Sequence, residues 1–260
     1  MPRETQEPIS LRFNNPPVTE TSLGFYFQRI EGWHLLHQGL LWEKFRTKYP
    51  QLEILPTILD PGSTRLQLDL NAPVLRTGFA DSTKTKLVQI QDGLLLHNWR
   101  KTPEAPKYNR YEMVRDLLLE DWSIFCGYLR SASLKEPVVS RCEMSYFNHL
   151  VRGEEWKDFS DLPEIFPTWR GVSQPKSSGT LQMAAFNVAY RVDRGVVNVA
   201  VHPGIRSNDG KEVIQLTLSS YIAPSNSDNE TLFETIDECH ENAARAFVDF
   251  TTDKVRERWK

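Results

Sequence analysis

The chain has 260 residues, of which 40% are hydrophobic and 25% charged, with a formal net charge of −3. This is the composition of a globular protein with a sizeable core, which excludes a disordered or collagen-like chain. The slightly acidic balance offers no global positive field to a polyanion, so general nucleic-acid binding is disfavoured. Met1-Pro2-Arg3-Glu4-Thr5-Gln6-Glu7-Pro8 lacks the apolar stretch of a secretory leader, and no later run reaches the roughly 18 apolar residues of a membrane span. The expectation is a cytoplasmic protein with no membrane association.

In chain order, Val18 to Phe27 is rich in β-branched and aromatic residues and predicts a strand. From Gly32 to Tyr49, the recurrence of Trp33, Leu36, Leu40, Leu41, Phe45 and Tyr49 predicts an amphipathic helix with one buried stripe, which Pro50 ends. Thr64 to Leu70 alternates Leu66, Leu68 and Leu70 with polar residues, and Pro73 to Phe79 is a further extended candidate. Lys86 to Arg100 predicts a hairpin around Asp92-Gly93, a favoured tight-turn pair. Tyr108 to Ser131 has the cleanest helical period of the chain, through Tyr111, Val114, Leu118, Trp122, Phe125 and Leu129. Val138 to Leu150 predicts a strand, whereas 161–178 shows neither period and predicts a connector.

The last third predicts three antiparallel strands, Thr180 to Val192, Val196 to His202 and Glu212 to Ala223. A long helix follows, opened by a capping box at Ser227-Asp228-Asn229-Glu230, with Leu232, Ile236, Ala243, Phe247 and Phe250 on its apolar face. The resulting expectation is an α+β fold of two antiparallel sheets, each covered by one or two long amphipathic helices. Residues 1–160 would form an N-terminal subdomain, 161–178 a connector, and 179–260 a C-terminal three-stranded sheet plus helix.

Sites of chemistry are few. The dinucleotide, P-loop, zinc-protease and serine-hydrolase signatures are all missing, and nothing calls for a cofactor. His34 and His37 lie on neighbouring helical positions, but a metal needs at least one more ligand and none is signalled nearby. Cys126 and Cys239 read as small core hydrophobes. Cys142, between Arg141 and Glu143, is the thiol to test first for reactivity.

Gln89 and Gln91 share one strand face, as do Arg141, Glu143 and Ser145. A polar cleft lined by Gln89, Asn98, Arg100, Glu143 and Asn148 would serve a small-ligand binder or an enzyme. The favoured reading of the same groups is an internally paired network or a solvent-facing sheet, because unpaired buried polar groups cost about 1–3 kcal/mol each. Trp156, Trp169 and Trp259 lie in a connector or at a terminus, where each either docks back or meets a partner. Arg256 and Arg258 give the last helix a basic end, usually an ordinary complement to the helix dipole and less often a contact point for RNA, DNA or an acidic protein.

Several segments resemble a family of sporadically distributed, uncharacterised bacterial and archaeal proteins of about this length. They are Pro17-Val18-Thr19-Glu20, Phe45 to Pro50, Val88-Gln89-Ile90-Gln91, Asn98-Trp99-Arg100, Tyr108 to Tyr111, Arg141 to Asn148, and Ile236-Asp237. The resemblance covers most of the chain and is most specific from the hairpin to the following helix. It implies a prokaryotic cytosolic protein with an α+β layout, and brings no catalytic or binding residues with it. The sporadic occurrence is the association that suggests an accessory of a defence, CRISPR-associated or toxin–antitoxin operon. The function expected is therefore a non-catalytic protein-interaction or regulatory component with a protein partner, a homodimer being left open.

Overall fold

A computed structural model describes residues 13–58, 75–169 and 181–260. Its strands are β1 (Val18–Phe27), β2 (Gln51–Leu55), β3 (Arg76–Ala80), β4 (Lys86–Gln91), β5 (Leu94–Arg100), β6 (Val139–Val151), β7 (Phe186–Val192), β8 (Gly195–Ile205) and β9 (Glu212–Ile222). The helices are α1 (Leu35–Phe45), α2 (Tyr111–Ser131), the single-turn α3 (Leu162–Ile165), α4 (Asn229–Phe250) and the short α5 (Asp253–Arg256). No helix of the described residues is long and apolar enough to cross a membrane.

The expectation of two sheets is corrected. The strands form one nine-stranded antiparallel sheet in the order β2-β3-β4-β5-β1-β6-β9-β8-β7. Alternation along a strand fixes which side chains share a face but carries no information about the neighbouring strand. Here the long strands β1 and β6 lie side by side in the middle of the order, where two separate sheets would have needed edges.

Two compact units interleave along the chain. One comprises Ser22–Glu143 and Ala223–Ile236; the other comprises the described residues up to Thr21, Met144–Ile222 and Asp237–Lys260. In the first, β4 and β5 close on Asp92 and Gly93, with Gln91 opposite Leu94, as the turn pair predicts. Phe25 and Phe27 of β1 pack under α2, with ring centroids 4.6 Å from Trp122 and 5.5 Å from Phe125 respectively. Phe233 of α4 meets Phe25 edge-on at 5.7 Å. Thr231 N–H donates to Asp228 Oδ1 at 2.9 Å, so the cap of α4 is Asp228, one residue after the predicted Ser227. Ser227 Oγ instead accepts the Val139 N–H at 2.9 Å.

In α1 the predicted buried stripe is only half right. Leu41 and Phe45 are buried, together with the polar Gln38, whereas Leu36 and Leu40 are 72% and 56% exposed and Leu35 is 61% exposed. Phe45 seats the end of α1 on β3, 5.6 Å from Phe79. The helix has little support of its own. His34 at its N-cap makes no side-chain cap, which forgoes about 1 kcal/mol, and Gly39 within the helix forgoes about as much again relative to alanine. By contrast, α2 spans 21 residues and buries eight side chains, among them Leu118, Trp122, Phe125 and Leu129.

In the other unit, β7, β8 and β9 form an antiparallel run, with Val197, Val199, Val201, Leu216 and Leu218 in the core. β7 starts at Phe186, six residues later than the predicted strand. Within the predicted connector, Leu162, Ile165 and Phe166 are buried, and residues 170–178 lie outside the described residues. The predicted strand from Thr64 to Leu70 also lies outside them.

Candidate functional site

The register Leu96↔Gln89↔Gly78↔Glu53 across β5, β4, β3 and β2 puts Glu53, Arg76, Gln89, Asn98 and Arg100 on one face. Arg76 Nη1 donates to Gln89 Oε1 at 2.6 Å, and Gln89 Nε2 donates to Asn98 Oδ1 at 2.7 Å. Arg100 Nη1 donates to Glu53 Oε2 at 3.0 Å. Glu53 lies level with Leu96, four residues short of Arg100, and three strands away. In a flat sheet their Cα atoms would be about 19 Å apart, farther than the two side chains reach together. The pair therefore requires the sheet to depart from flatness, as a twisted sheet does. Gln91, on the same face, holds Ile58 through both its N–H and its carbonyl, each at 3.0 Å.

Of the five predicted cleft residues, Gln89 and Asn98 are hydrogen-bonded to each other. Arg100 goes to Glu53, and Glu143 accepts the Tyr26 hydroxyl at 2.6 Å, with the Arg141 guanidinium 3.9 Å from the Tyr26 ring centroid. Asn148 belongs to the other unit, where it donates to Leu216 O at 3.1 Å. Both amide atoms of Gln89 are engaged within the protein, by Arg76 and Asn98.

The predicted interaction residues also turn inward. Trp156 is 4% exposed and its Nε1 donates to Leu150 O at 2.9 Å; Trp259 is 2% exposed and its Nε1 donates to Glu155 Oε1 at 3.2 Å. Trp169 is half-buried, 6.3 Å from Phe186 between ring centroids. Arg256 donates to Val248 O at 2.7 Å and to Thr251 O, and Arg258 donates to Glu154 O and Glu155 O at 3.0 and 2.9 Å. Aromatic and basic groups at the chain end thus dock the terminus back onto its own unit. Cys142 and Cys239 are fully buried, and burial pushes the Cys126 thiol up to about 12, which leaves none of the three poised as a nucleophile.

Sequence reasoning missed a buried charged hub. Asp121 and His97 are both 0% exposed, and His97 Nδ1 lies 2.6 Å from Asp121 Oδ2. The Tyr49 hydroxyl donates to both Asp121 oxygens at 3.0 and 3.1 Å, and Lys48 Nζ reaches Oδ1 at 3.1 Å while also pairing with Glu120 at 2.7 Å. Burial, followed by the Asp121 charge, pushes the Tyr49 hydroxyl above its ordinary range, so it stays a donor. The signals were a carboxylate within the apolar stripe of α2, three residues after Leu118, and a histidine between Leu95 and Trp99 on one face of β5.

The outer surface of α1 completes the set of candidate features, with Leu35, Leu36 and Leu40 around an unhindered Gly39. At its start, His34 and His37 have ring centroids 4.2 Å apart, and His37 Nδ1 lies 2.6 Å from the Tyr128 hydroxyl. No group of three or more His, Cys, Asp or Glu placed to hold a metal occurs among the described residues.

Burial, and then the neighbouring His34 charge, lower the His37 pKa from the usual 6.5. A lowered histidine pKa means that the fold favours the neutral ring. The associated stability is complete above about pH 6.5 and is lost as pH falls through the depressed folded value. The melting temperature of the wild type is thus expected to fall more steeply from pH 7 to 5 than that of His37→Gln; equal slopes would show that His37 does not contribute.

No protein-family model, curated protein or solved structure matches this chain.

Proposed function

We propose that this protein is a non-catalytic interaction component that receives a protein partner on the outer face of α1. The observation that carries this reading is the triplet of leucines, Leu35, Leu36 and Leu40, each more than half exposed on one 11-residue helix. A clustered apolar surface of this kind is what binding faces present and what isolated surface residues do not. The internal pairing of Gln89 with Arg76 and Asn98 favours this reading over a ligand cleft, and the docked C-terminal arginines favour it over nucleic-acid binding. The regulatory role and the operon setting rest on the family resemblance.

The test is recovery of tagged protein from its native host at near-physiological salt, with and without nuclease, beside the double variant Leu36→Glu/Leu40→Glu. A stoichiometric protein partner that survives nuclease should accompany the wild type and be lost from the variant. The variant's stability should stay within about 0.5 kcal/mol per substitution, because both sites are on the surface. Equal retention of the partner by both forms, or recovery of the wild type alone, would overturn the proposal.

A further inference from the structure

We propose that α1 is a releasable element: the segment from Gly32 to Tyr49 lifts away from the sheet as a unit and is held down by the Asp121 hub. As a means of regulating partner binding, this rests on the reading of α1 as the docking helix; the release itself is a property of the isolated chain.

Four observations converge on it. First, within α1 only Leu41 and Phe45 are buried among apolar residues, the third buried side chain being Gln38, and Tyr49 is the one further fully buried side chain of the described segment. A helix this short depends on its packing and not on its own hydrogen bonds. Second, the seated position leaves polar atoms of α1 without partners. Gln38 Oε1 and Trp42 Nε1 are buried and make no hydrogen bond with any described residue. Both atoms regain water when the helix lifts, so solvation favours the open form.

Third, the polar ties lie mainly toward the two ends. His37 meets Tyr128 near the start, and Lys48 and Tyr49 just past the end meet Asp121, whose second oxygen is held by His97. Between them, Gln38 Nε2 donates to Leu75 O at 2.8 Å. Fourth, the segment is bounded by two backbone punctuation points. Gly32 has φ of +82°, a conformation that only glycine adopts without strain, and Pro50 separates Tyr49 from β2. An element with few buried apolar contacts, unsatisfied groups and discrete end ties belongs to the low-stability end of the opening spectrum.

Hydrogen–deuterium exchange of the full chain under native conditions, resolved by peptide, tests this. Amides of α1 are expected to exchange about 100-fold or more faster than those of α2. Protection of α1 within tenfold of α2 would overturn the proposal. Lys48→Met, which removes one tie and leaves His97 and Asp121 in place, should speed α1 exchange about tenfold with no change in α2. Equal acceleration in both helices, or none in α1, would overturn the role of the hub. These measurements need no partner. Fast α1 exchange combined with unchanged partner capture by Leu36→Glu/Leu40→Glu would therefore sink the docking reading and leave the release standing.

Discussion

Replacing Asp121 with alanine is expected to lower the unfolding free energy by about 3–5 kcal/mol, the usual cost of removing one partner from a buried charged network. The carboxylate is the common acceptor for Tyr49, Lys48 and His97. Lys48 is partly exposed and keeps Glu120, but the Tyr49 hydroxyl and the His97 Nδ1 side of the ring are left in the core without an acceptor. Each unsatisfied group contributes about 1–3 kcal/mol. Urea denaturation monitored by tryptophan fluorescence measures the loss, and Glu120→Ala is the control, expected to change stability by less than about 1 kcal/mol because its pair with Lys48 is exposed. A loss below about 1 kcal/mol for Asp121→Ala would mean that the hub contributes no more than a surface pair.

The second large effect is expected at Gly195, which follows the two-residue turn Asp193-Arg194 and opens β8 opposite Val192. Its φ is +111°, and a Cβ there would stand 2.0 Å from the carbonyl oxygen of Tyr221 on β9. The obstacle is backbone, so no side-chain rotation relieves it. Gly195→Ala must either move β9 or break the β7–β8 turn, at a cost of about 3 kcal/mol or more. The same denaturation series reads it out, with Gly153→Ala as the comparison: that glycine also has positive φ, at +88°, but nothing lies within 4 Å of its would-be Cβ. If the two substitutions cost the same, φ alone accounts for the loss and the close approach of β9 contributes nothing.

Local patterns made much of the fold legible. The β4–β5 hairpin, α2 and β9 appear where turn chemistry, a 3.6-residue period and strict alternation put them. In α1 the pattern was ambiguous, because Leu35, Leu36, Leu40 and Leu41 surround much of the helix and period alone does not choose the side that packs. The decision came from Phe45 finding Phe79 and from Gln38 finding Leu75 O, both contacts beyond the helix. β2 was not anticipated: it has five residues, and its alternating Leu52 and Ile54 are exposed on an edge strand. The polar face was half legible. Gln89 and Asn98 could be paired because they sit on adjacent strands of one hairpin, whereas Arg76 and Glu53 join them from strands whose order only the tertiary structure supplies. His97 and Asp121 sat inside apolar patterns that absorbed them.

The interleaving of the two units bears on how the chain matures on the ribosome. Phe25 waits for Phe233, and Cys142 for the Leu232 carbonyl 90 residues further along. At about 5–20 residues per second, the core that α4 closes stays open for several seconds after β6 has been made. Over that interval the emerging chain exposes Phe25 and the neighbouring apolar groups that α4 later covers.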